Sequence, residues 1–204
     1  MTGSPWTMAL EPPAAFGEIY PHYLRDFPAP VRKSRALAGE LLHRGHYRIV
    51  TARRRDDASL AAYAMGYPVN GGRCFWLDFF AVVPERRGAG LGEWFLRNLP
   101  RVLPMRGMFL EIEFPETPDQ QKRVRFYKRM GAFPLPLDYA LLPEGGGLLP
   151  MMLYYLPCGP GRPDGPAVAR AVTTTFEHTY GVMPEPYPHW RERLDGILAT
   201  LREV

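Results

Sequence analysis

The segment Arg87-Gly88-Ala89-Gly90-Leu91-Gly92 constrains the fold most, because its three alternate glycines stand where a predicted strand gives way to a predicted helix. Residues 75–83 have the aromatic and β-branched character of a strand, and residues 93–96 open a helix. Without side chains at the glycines, backbone N–H groups can approach an anion closely, and the helix N-terminus adds partial positive charge. The segment therefore predicts a binding site for a pyrophosphate.

Hydrophobic periodicity predicts the elements on either side of this segment. A strand, a helix and a second strand follow one another in the middle of the chain, which implies a parallel strand pair joined by a crossover. Asn70-Gly71-Gly72 is typical of a hairpin turn, so three strands around it form an antiparallel meander. The predicted helices cover 14–27, 35–44, 90–103 and 119–130, the strands cover 46–54, 60–69, 74–83, 108–114 and 151–156, and 6–10 form a short strand or an ordered arm.

The chain changes character at a Pro/Gly-rich segment near its C-terminal end. Residues 157–166 can neither continue a strand nor start a helix before their end. We expect a main domain over 1–157, a linker over 158–166 and a helical extension over 167–204. The extension has two apolar helical faces, which are expected to pack on the main domain, with a homodimer as the alternative.

Composition limits the classes of function. Hydrophobic residues make up 46% of the 204 residues, which is enough for a core. The net charge of +4 is modest and its basic residues are scattered, which favours an anionic ligand and not nucleic acid. No leader or membrane span is recognisable, so a cytoplasmic protein without a membrane partner is expected. The two cysteines, Cys74 and Cys158, and the five histidines lack the spacing of a disulfide framework or a metal site.

Three explanations of the glycine segment can be compared on its residues. A P-loop is excluded, because Glu93 and Trp94 follow the last glycine and no lysine is near. A dinucleotide-binding fold is closer, since Glu111 lies at about the right distance for a ribose-binding acid, but Glu93 stands where the third glycine belongs. A merely flexible loop does not explain three alternate glycines at a strand-to-helix turn.

Two blocks of sequence resemble one known family. The block from Phe80 to Gly92 resembles the strand and the Arg/Gln-x-x-Gly-x-Gly/Ala loop of the GNAT superfamily. The block from Arg125 to Phe133 resembles its later helix, usually Phe-Tyr-x-x-x-Gly-Phe. Both blocks stand in the family's order and spacing, and the resemblance covers about residues 46–135, with element order agreeing out to 157.

The resemblance implies an α+β, three-layer fold. Its central sheet would be mixed and mostly antiparallel, with a splayed parallel pair at 74–83 and 108–114, flanking helices and the C-terminal helical appendage. Acetyl-CoA would enter the wedge as a co-substrate, without a metal. The backbone of Phe80, Ala81 and Val82 would pair with the pantetheine arm, and the pyrophosphate would lie on the loop residues Arg87, Gly88, Ala89, Gly90, Leu91 and Gly92.

Acyl transfer from a thioester to an amine needs a base, an oxyanion donor and an acid for the leaving thiolate. Glu111 and Glu113 share one face of a strand and Asp78 lies on the neighbouring strand, so each is a candidate base. Glu111 also matches a catalytic glutamate of the ribosomal-protein-like GNAT enzymes. Tyr127 occupies the tyrosine position of the family helix and is the candidate acid, and a backbone N–H near Val82 would meet the oxyanion.

The expected function is acetyl-CoA-dependent N-acetylation of a primary amine, on a small molecule or a peptide, by direct transfer in a ternary complex. Acids in the cleft favour a cationic acceptor. The acceptor site is expected to be lined by the first two helices, their Pro-rich connection and the loop at residues 139–150. Trp76, Tyr63, Tyr67 and Tyr139 could enclose the amine or belong to the core. Two alternatives stay open: a non-catalytic acyl-CoA-binding regulatory module, and a nucleotide or dinucleotide binder.

Overall fold

The computed structural model of the protein describes residues 4–144, 146–182, 187 and 189–203. Its strands are β1 (Trp6–Glu11), β2 (Arg48–Arg54), β3 (Leu60–Val69), β4 (Cys74–Val82), β5 (Gly107–Ile112), β6 (Phe133–Pro134), β7 (Tyr139–Leu141) and β8 (Leu149–Pro157). Its helices are α1 (Phe16–Asp26), α2 (Arg35–His43), α3 (Leu91–Asn98), α4 (Pro118–Arg129), α5 (Gly165–Thr179) and α6 (Trp190–Leu198). Within the described residues, no helix is long and apolar enough to cross a membrane.

The strands form one mixed sheet in the order β1-β2-β3-β4-β5-β8-β6, and β7 pairs with β8. All neighbours are antiparallel except β4 and β5, which are parallel and joined through α3. The β3–β4 hairpin turns at Asn70, Gly71 and Gly72, whose φ angles of 53°, 66° and 78° suit asparagine and glycine. The predicted α+β fold, with its meander and its parallel pair, is confirmed.

The parallel pair separates part of the way along. Residues 74–77 of β4 pair with 107–110 of β5, and beyond Leu77 and Leu110 no partners are assigned between these two strands. Beyond that point β4 keeps its antiparallel partner β3, and β5 keeps β8. A wedge therefore opens in the middle of the sheet between Asp78–Val82 and Glu111–Glu113.

A bulge in β4 lies at the point where the wedge opens. Leu77 pairs with Gly66 and Phe79 with Met65, so Asp78 is the extra residue of β4. Trp76 and Phe79 belong to the same hydrophobic cluster, although alternation along a regular strand would put them on opposite faces. The bulge thus turns the side chains of Asp78 and Phe79 towards one face of the sheet.

Each face of the sheet has its own hydrophobic cluster. The first cluster packs α1, α2, α5 and α6 on one face, and the second packs α3 and α4 on the other. Buried side chains at helical spacing account for this, such as Phe16, Ile19 and Tyr23 in α1. Layers of helices therefore cover both faces of the sheet.

The C-terminal helices pack on the sheet, as the sequence predicted. Val172 and Phe176 of α5 are fully buried in the first cluster, with Trp190 and Leu194 of α6. The hydroxyl groups of Tyr67 and Thr179 share a hydrogen bond of 2.6 Å, which ties α5 to β3. The division of the chain into a main domain, a linker and an extension stays a prediction.

Several predicted boundaries were wrong. The helix expected over 90–103 ends at Asn98 and continues as a 3-10 turn over Leu99–Arg101, because Pro100 cannot donate the next helical hydrogen bond. The strand expected over 108–114 is β5 and ends at Ile112, where its pairing with β8 stops. The loop expected at 139–150 contains β7, and β6 was missed, because two or three residues carry too little periodicity.

Candidate active site

The wedge between β4 and β5 is a cleft of about 440 Å³. It continues into a second cavity of about 570 Å³ that lies against the glycine loop. The two share lining residues, namely Phe80, Val82, Arg87, Arg123 and Tyr127. The combined groove therefore runs from the glycine loop to the middle of the sheet, and we call its two ends the loop end and the acyl end.

Two glycines of the loop have a backbone conformation that side chains rarely adopt. Gly88 and Gly90 have φ angles of +83° and +74°, where a side chain would be strained, and Gly90 is the N-cap of α3. The first N–H groups of α3 have no partner inside the helix, and Leu91, Gly92 and Glu93 line the loop end. These donors and the helix dipole favour an anion at this position.

Basic side chains surround the loop end. Arg86, Arg87, Lys122, Arg123 and Arg129 line it. Among the described residues, Glu93 is the one acid that lines it, and Glu93 pairs with Arg97 at 2.8 Å along the same helix. Three of the five basic residues pair with acids of the acyl end, Arg87 with Asp26, Lys122 with Asp119 and Arg123 with Glu113. The loop end still has an excess of basic side chains, which suits phosphate groups.

The backbone of β4 offers hydrogen-bonding groups to the cleft. Val83 N–H donates to the carbonyl of Ala61, and because antiparallel ladders alternate, Ala81 also faces β3. Phe80 and Val82 then direct their N–H and C=O groups away from β3, into the wedge. The carbonyl of Val82 accepts a 3.0 Å hydrogen bond from Nε of Arg87.

Glu111 lies at the acyl end, on β5, and is partly buried. Its Oε1 accepts a hydrogen bond from Trp76 Nε1 at 3.2 Å and another from the hydroxyl of Tyr139. Burial, and secondarily the charge of Asp78, raise the pKa of this carboxyl to about 7, against the opposing effects of Lys33 and the two hydrogen bonds. A carboxyl with such a pKa can gain and lose a proton near neutrality.

Asp78 has a different environment, because a lysine neutralises it. Lys33 Nζ lies 2.6 Å from Asp78 Oδ2, and their side chains are only 6% and 3% exposed. The hydroxyl of Tyr47 also donates to Asp78. The ammonium of Lys33 lies 5.6 Å from the ring centre of Tyr67 and 5.2 Å from that of Phe79, so aromatic faces stabilise it as well.

The third candidate acid, Glu113, follows the end of β5 and pairs with Arg123 of α4. Tyr127, one turn further along α4, is 8% exposed and lines both ends of the groove. Burial raises the pKa of its phenol to about 12, so that it stays protonated at neutral pH. The structure therefore brings the four predicted catalytic residues to one cleft, and each of the three acids has its own partners.

Sequence reasoning missed Lys33, whose signal was its rarity: the chain has three lysines among 25 basic residues. It also missed Asp26, which lines the acyl end and lies 3.5 Å from Arg87. The Pro-rich connection after α1 does reach the cleft, through Phe27 and Val31.

The four aromatic residues considered for the acceptor site are all buried, namely Trp76, Tyr63, Tyr67 and Tyr139, and none is among the residues that line the described cleft. Trp76 and Tyr139 instead donate hydrogen bonds to Glu111.

Comparison with known proteins agrees with this geometry. Residues 16–132 match the model of the Acetyltransferase (GNAT) family. This is more than half of the chain, and the protein belongs to that family. It is an acetyltransferase of the GNAT type. No curated protein matches the sequence significantly.

Solved structures show the same fold at low sequence identity. A protein assigned to the GNAT acetyltransferases from Bacteroides thetaiotaomicron has a TM-score of 0.65 and 19% identity, over 96% of this chain and 99% of its own. The ribosomal-protein-S18-alanine N-acetyltransferase from Escherichia coli has a TM-score of 0.55 and 18% identity, over 77% and 96%. Spermidine N-acetyltransferase from Vibrio cholerae, solved with CoA and spermine, has a TM-score of 0.54 and 14% identity, over 76% and 96%. The first of these matches extends over most of the C-terminal helices as well.

Proposed function

We propose that the protein transfers the acetyl group of acetyl-CoA to a cationic primary amine, by direct attack in a ternary complex. The observation that carries this proposal is the polarity of the groove. Its loop end is lined by five basic residues and one acid. Its acyl end is lined by five acids, together with Arg87 and Arg123, which line both ends; the acids are Asp26, Asp78, Glu111, Glu113 and Asp119. A donor that is anionic at one end and an acceptor that is cationic match these two ends.

Acetyl-CoA fits the loop end through its pyrophosphate. In this arrangement the N-terminus of α3 and the glycine loop would hold the phosphates. The backbone groups of Phe80 and the N–H of Val82 would pair with the pantetheine arm, with Ala81 lining the same path. The thioester would then lie between Glu111 and Tyr127. In the Vibrio cholerae relative, CoA and spermine are bound together, which supports a ternary complex for this chain.

Glu111 is the residue we propose as the base. An alkyl ammonium has a pKa of about 10.4, so the acceptor arrives protonated and must lose a proton before it attacks. Asp78 and Glu113 each pair with a cation, whereas the hydrogen bonds described for Glu111 come from the neutral donors Trp76 and Tyr139. With a pKa of about 7, Glu111 is ionised in a useful fraction of molecules at neutral pH.

The bond changes follow from this placement. The neutral amine nitrogen attacks the thioester carbonyl, the C–N bond forms, and the N–H of Val82 or Phe80 would stabilise the oxyanion. The C–S bond then breaks, and Tyr127 would donate to the sulfur as thiolate character develops. Glu111 passes both amine protons to solvent, one after the other, and solvent returns one proton to the Tyr127 phenolate, so the products are the amide, CoA thiol and one net proton.

The proposal is tested by thiol release from acetyl-CoA with a panel of diamines, polyamines, amino sugars and peptide N-termini. At least one cationic amine should cause thiol release, and no thiol should be released without an amine. Tight acetyl-CoA binding without thiol release for any amine would instead favour a non-catalytic acyl-CoA-binding module.

A matched pair of variants separates catalysis from packing. Tyr127→Phe should lower kcat by about 10²–10⁴-fold while the CoA affinity stays nearly unchanged. Tyr154→Phe is the control, because Tyr154 is a buried tyrosine of the same hydrophobic cluster and lies outside the cleft lining. Equal losses of kcat in the two variants would contradict the role of Tyr127.

A further inference from the structure

A third cavity, of about 890 Å³, lies away from the acyl-transfer groove. It is built from the β3–β4 turn, the residue before β5, the connection from β8 to α5, and the first turns of α5. Cys74, the first residue of β4, lines it, whereas Asp78 of the same strand lines the groove. Four residue steps along the strand separate the two positions by about 13 Å, and the third cavity shares no lining residue with the groove.

Four arginines from four different segments line this cavity: Arg73, Arg106, Arg162 and Arg170. We call it the arginine pocket. Within the described part of the chain, none of the four takes part in an ion pair, whereas arginines elsewhere on the surface, such as Arg54 and Arg97, pair with acids. Four arginines against one acid, Asp164, make the pocket a concentration of positive charge.

Among the described residues, one acid lines the arginine pocket, and it is already engaged in a hydrogen bond. Asp164 is the N-cap of α5, and its Oδ1 accepts a 2.7 Å hydrogen bond from the N–H of Ala167. Arg162 is held over the ring of Phe133, with its guanidinium carbon 4.3 Å from the ring centre. Thr173 and Thr174 add hydroxyl donors to the wall. Like charges around one hollow repel, so an anion bound among them would relieve that repulsion.

The shape and the donors indicate the class of the anion. Guanidinium groups match phosphate oxygens with two parallel hydrogen bonds, and a concave volume of this size is in the range that takes a compact organic ligand. We propose that the arginine pocket binds a small phosphorylated metabolite that carries at least two phosphate groups. This site is separate from the pyrophosphate position on the glycine loop and does not depend on the acyl-transfer assignment.

Calorimetric titration of inorganic pyrophosphate into the full chain tests this proposal, with the groove first saturated by CoA so that the glycine loop is occupied. Pyrophosphate should bind the CoA-saturated protein. Arg73→Ala and Arg170→Ala should each weaken that binding by about tenfold or more, since each removes charge-assisted hydrogen bonds. Both arginines are exposed, so the melting temperature without pyrophosphate should not change.

Arg101→Ala is the matched control, because Arg101 is an exposed arginine that lines neither the arginine pocket nor the groove. The control should bind pyrophosphate as the unaltered protein does. Absence of binding to the CoA-saturated protein, or equal weakening in all three variants, would overturn the proposal. Binding of citrate but not of pyrophosphate would also overturn it, because the ligand would then be a carboxylate. CoA affinity measured in the same variants keeps this result distinct from the acyl-transfer proposal.

Discussion

Replacing Lys33 by methionine removes the cation that faces Asp78 inside the protein. The two side chains are 6% and 3% exposed and their charged atoms lie 2.6 Å apart, so water cannot replace the lost ammonium. Breaking such a buried pair at one partner costs about 3–5 kcal/mol of folding free energy. For a chain of this length that corresponds to a Tm lowered by roughly 6–20 °C.

Urea and thermal unfolding of Lys33→Met, Asp78→Asn and the double variant measure this cost. The double variant should lose less than the sum of the single losses, by about 1–3 kcal/mol, because it leaves no buried charge unpaired. Arg97→Met is the control, since Arg97 and Glu93 form an exposed pair, 59% and 54% accessible, whose removal costs about 0.3–0.5 kcal/mol. If Lys33→Met destabilises the protein no more than Arg97→Met does, the buried pair does not stabilise the fold as argued.

The same substitution has a consequence for catalysis. The charge of Lys33 lowers the pKa of Glu111, so its removal should raise that pKa further. The acid limb of kcat/KM, expected near pH 7 in the unaltered enzyme, should move to higher pH in Lys33→Met. An unchanged limb would show that Glu111 is not the group that titrates.

Three further predictions concern the groove. Glu111→Gln should lower kcat/KM by about 10²–10⁴-fold and abolish the acid limb near pH 7, as pH–rate profiles would show. Because the folded-state pKa of Glu111 is raised from 4.5 to about 7, its ionisation opposes folding: stability should fall as pH rises from about 4.5 to 7, and Glu111→Gln should lose this slope in unfolding curves. Gly90→Ala, at φ +74°, should cost about 1–2 kcal/mol and weaken CoA binding, whereas Gly92→Ala should unfold like the unaltered protein, since its added carbon meets Phe126 at an ordinary 3.5 Å. Equal unfolding midpoints for the two glycine variants would contradict the strain argument.

Local signals explain why much of the fold could be predicted from the sequence. The hairpin at 70–72, the glycine loop and the capping of α4 by Thr117 and Gln120 depend on residues within a few positions of each other. The strand–helix–strand order then allowed the parallel pair to be inferred, because such connections follow general rules. The end of α3 depends on Pro100, which lies next to it in the sequence. The end of β5 depends on its pairing with β8, a strand from a distant part of the chain.

The partners of the acids could not be predicted in the same way. Lys33 precedes Asp78 by 45 residues and Tyr139 follows Glu111 by 28, and each pair meets only in the folded sheet. The bulge at Asp78 likewise depends on the register of β3 against β4, which periodicity in β4 alone does not contain. Sequence could therefore name three carboxylates but not rank them.

The partners allow the three carboxylates to be ranked as bases, by the interactions that each would lose on accepting a proton. Protonation of Asp78 would leave the ammonium of Lys33 buried without its counter-charge, and protonation of Glu113 would break its pair with Arg123. Protonation of Glu111 leaves only neutral partners behind, and it also removes the repulsion from the charge of Asp78. A base must return to its starting state in every turnover, so the acid whose protonation disrupts no ion pair is the one suited to the task. The bulge at the opening of the wedge places Asp78 beside Glu111, and the charge of Asp78 helps to raise the Glu111 pKa to about 7.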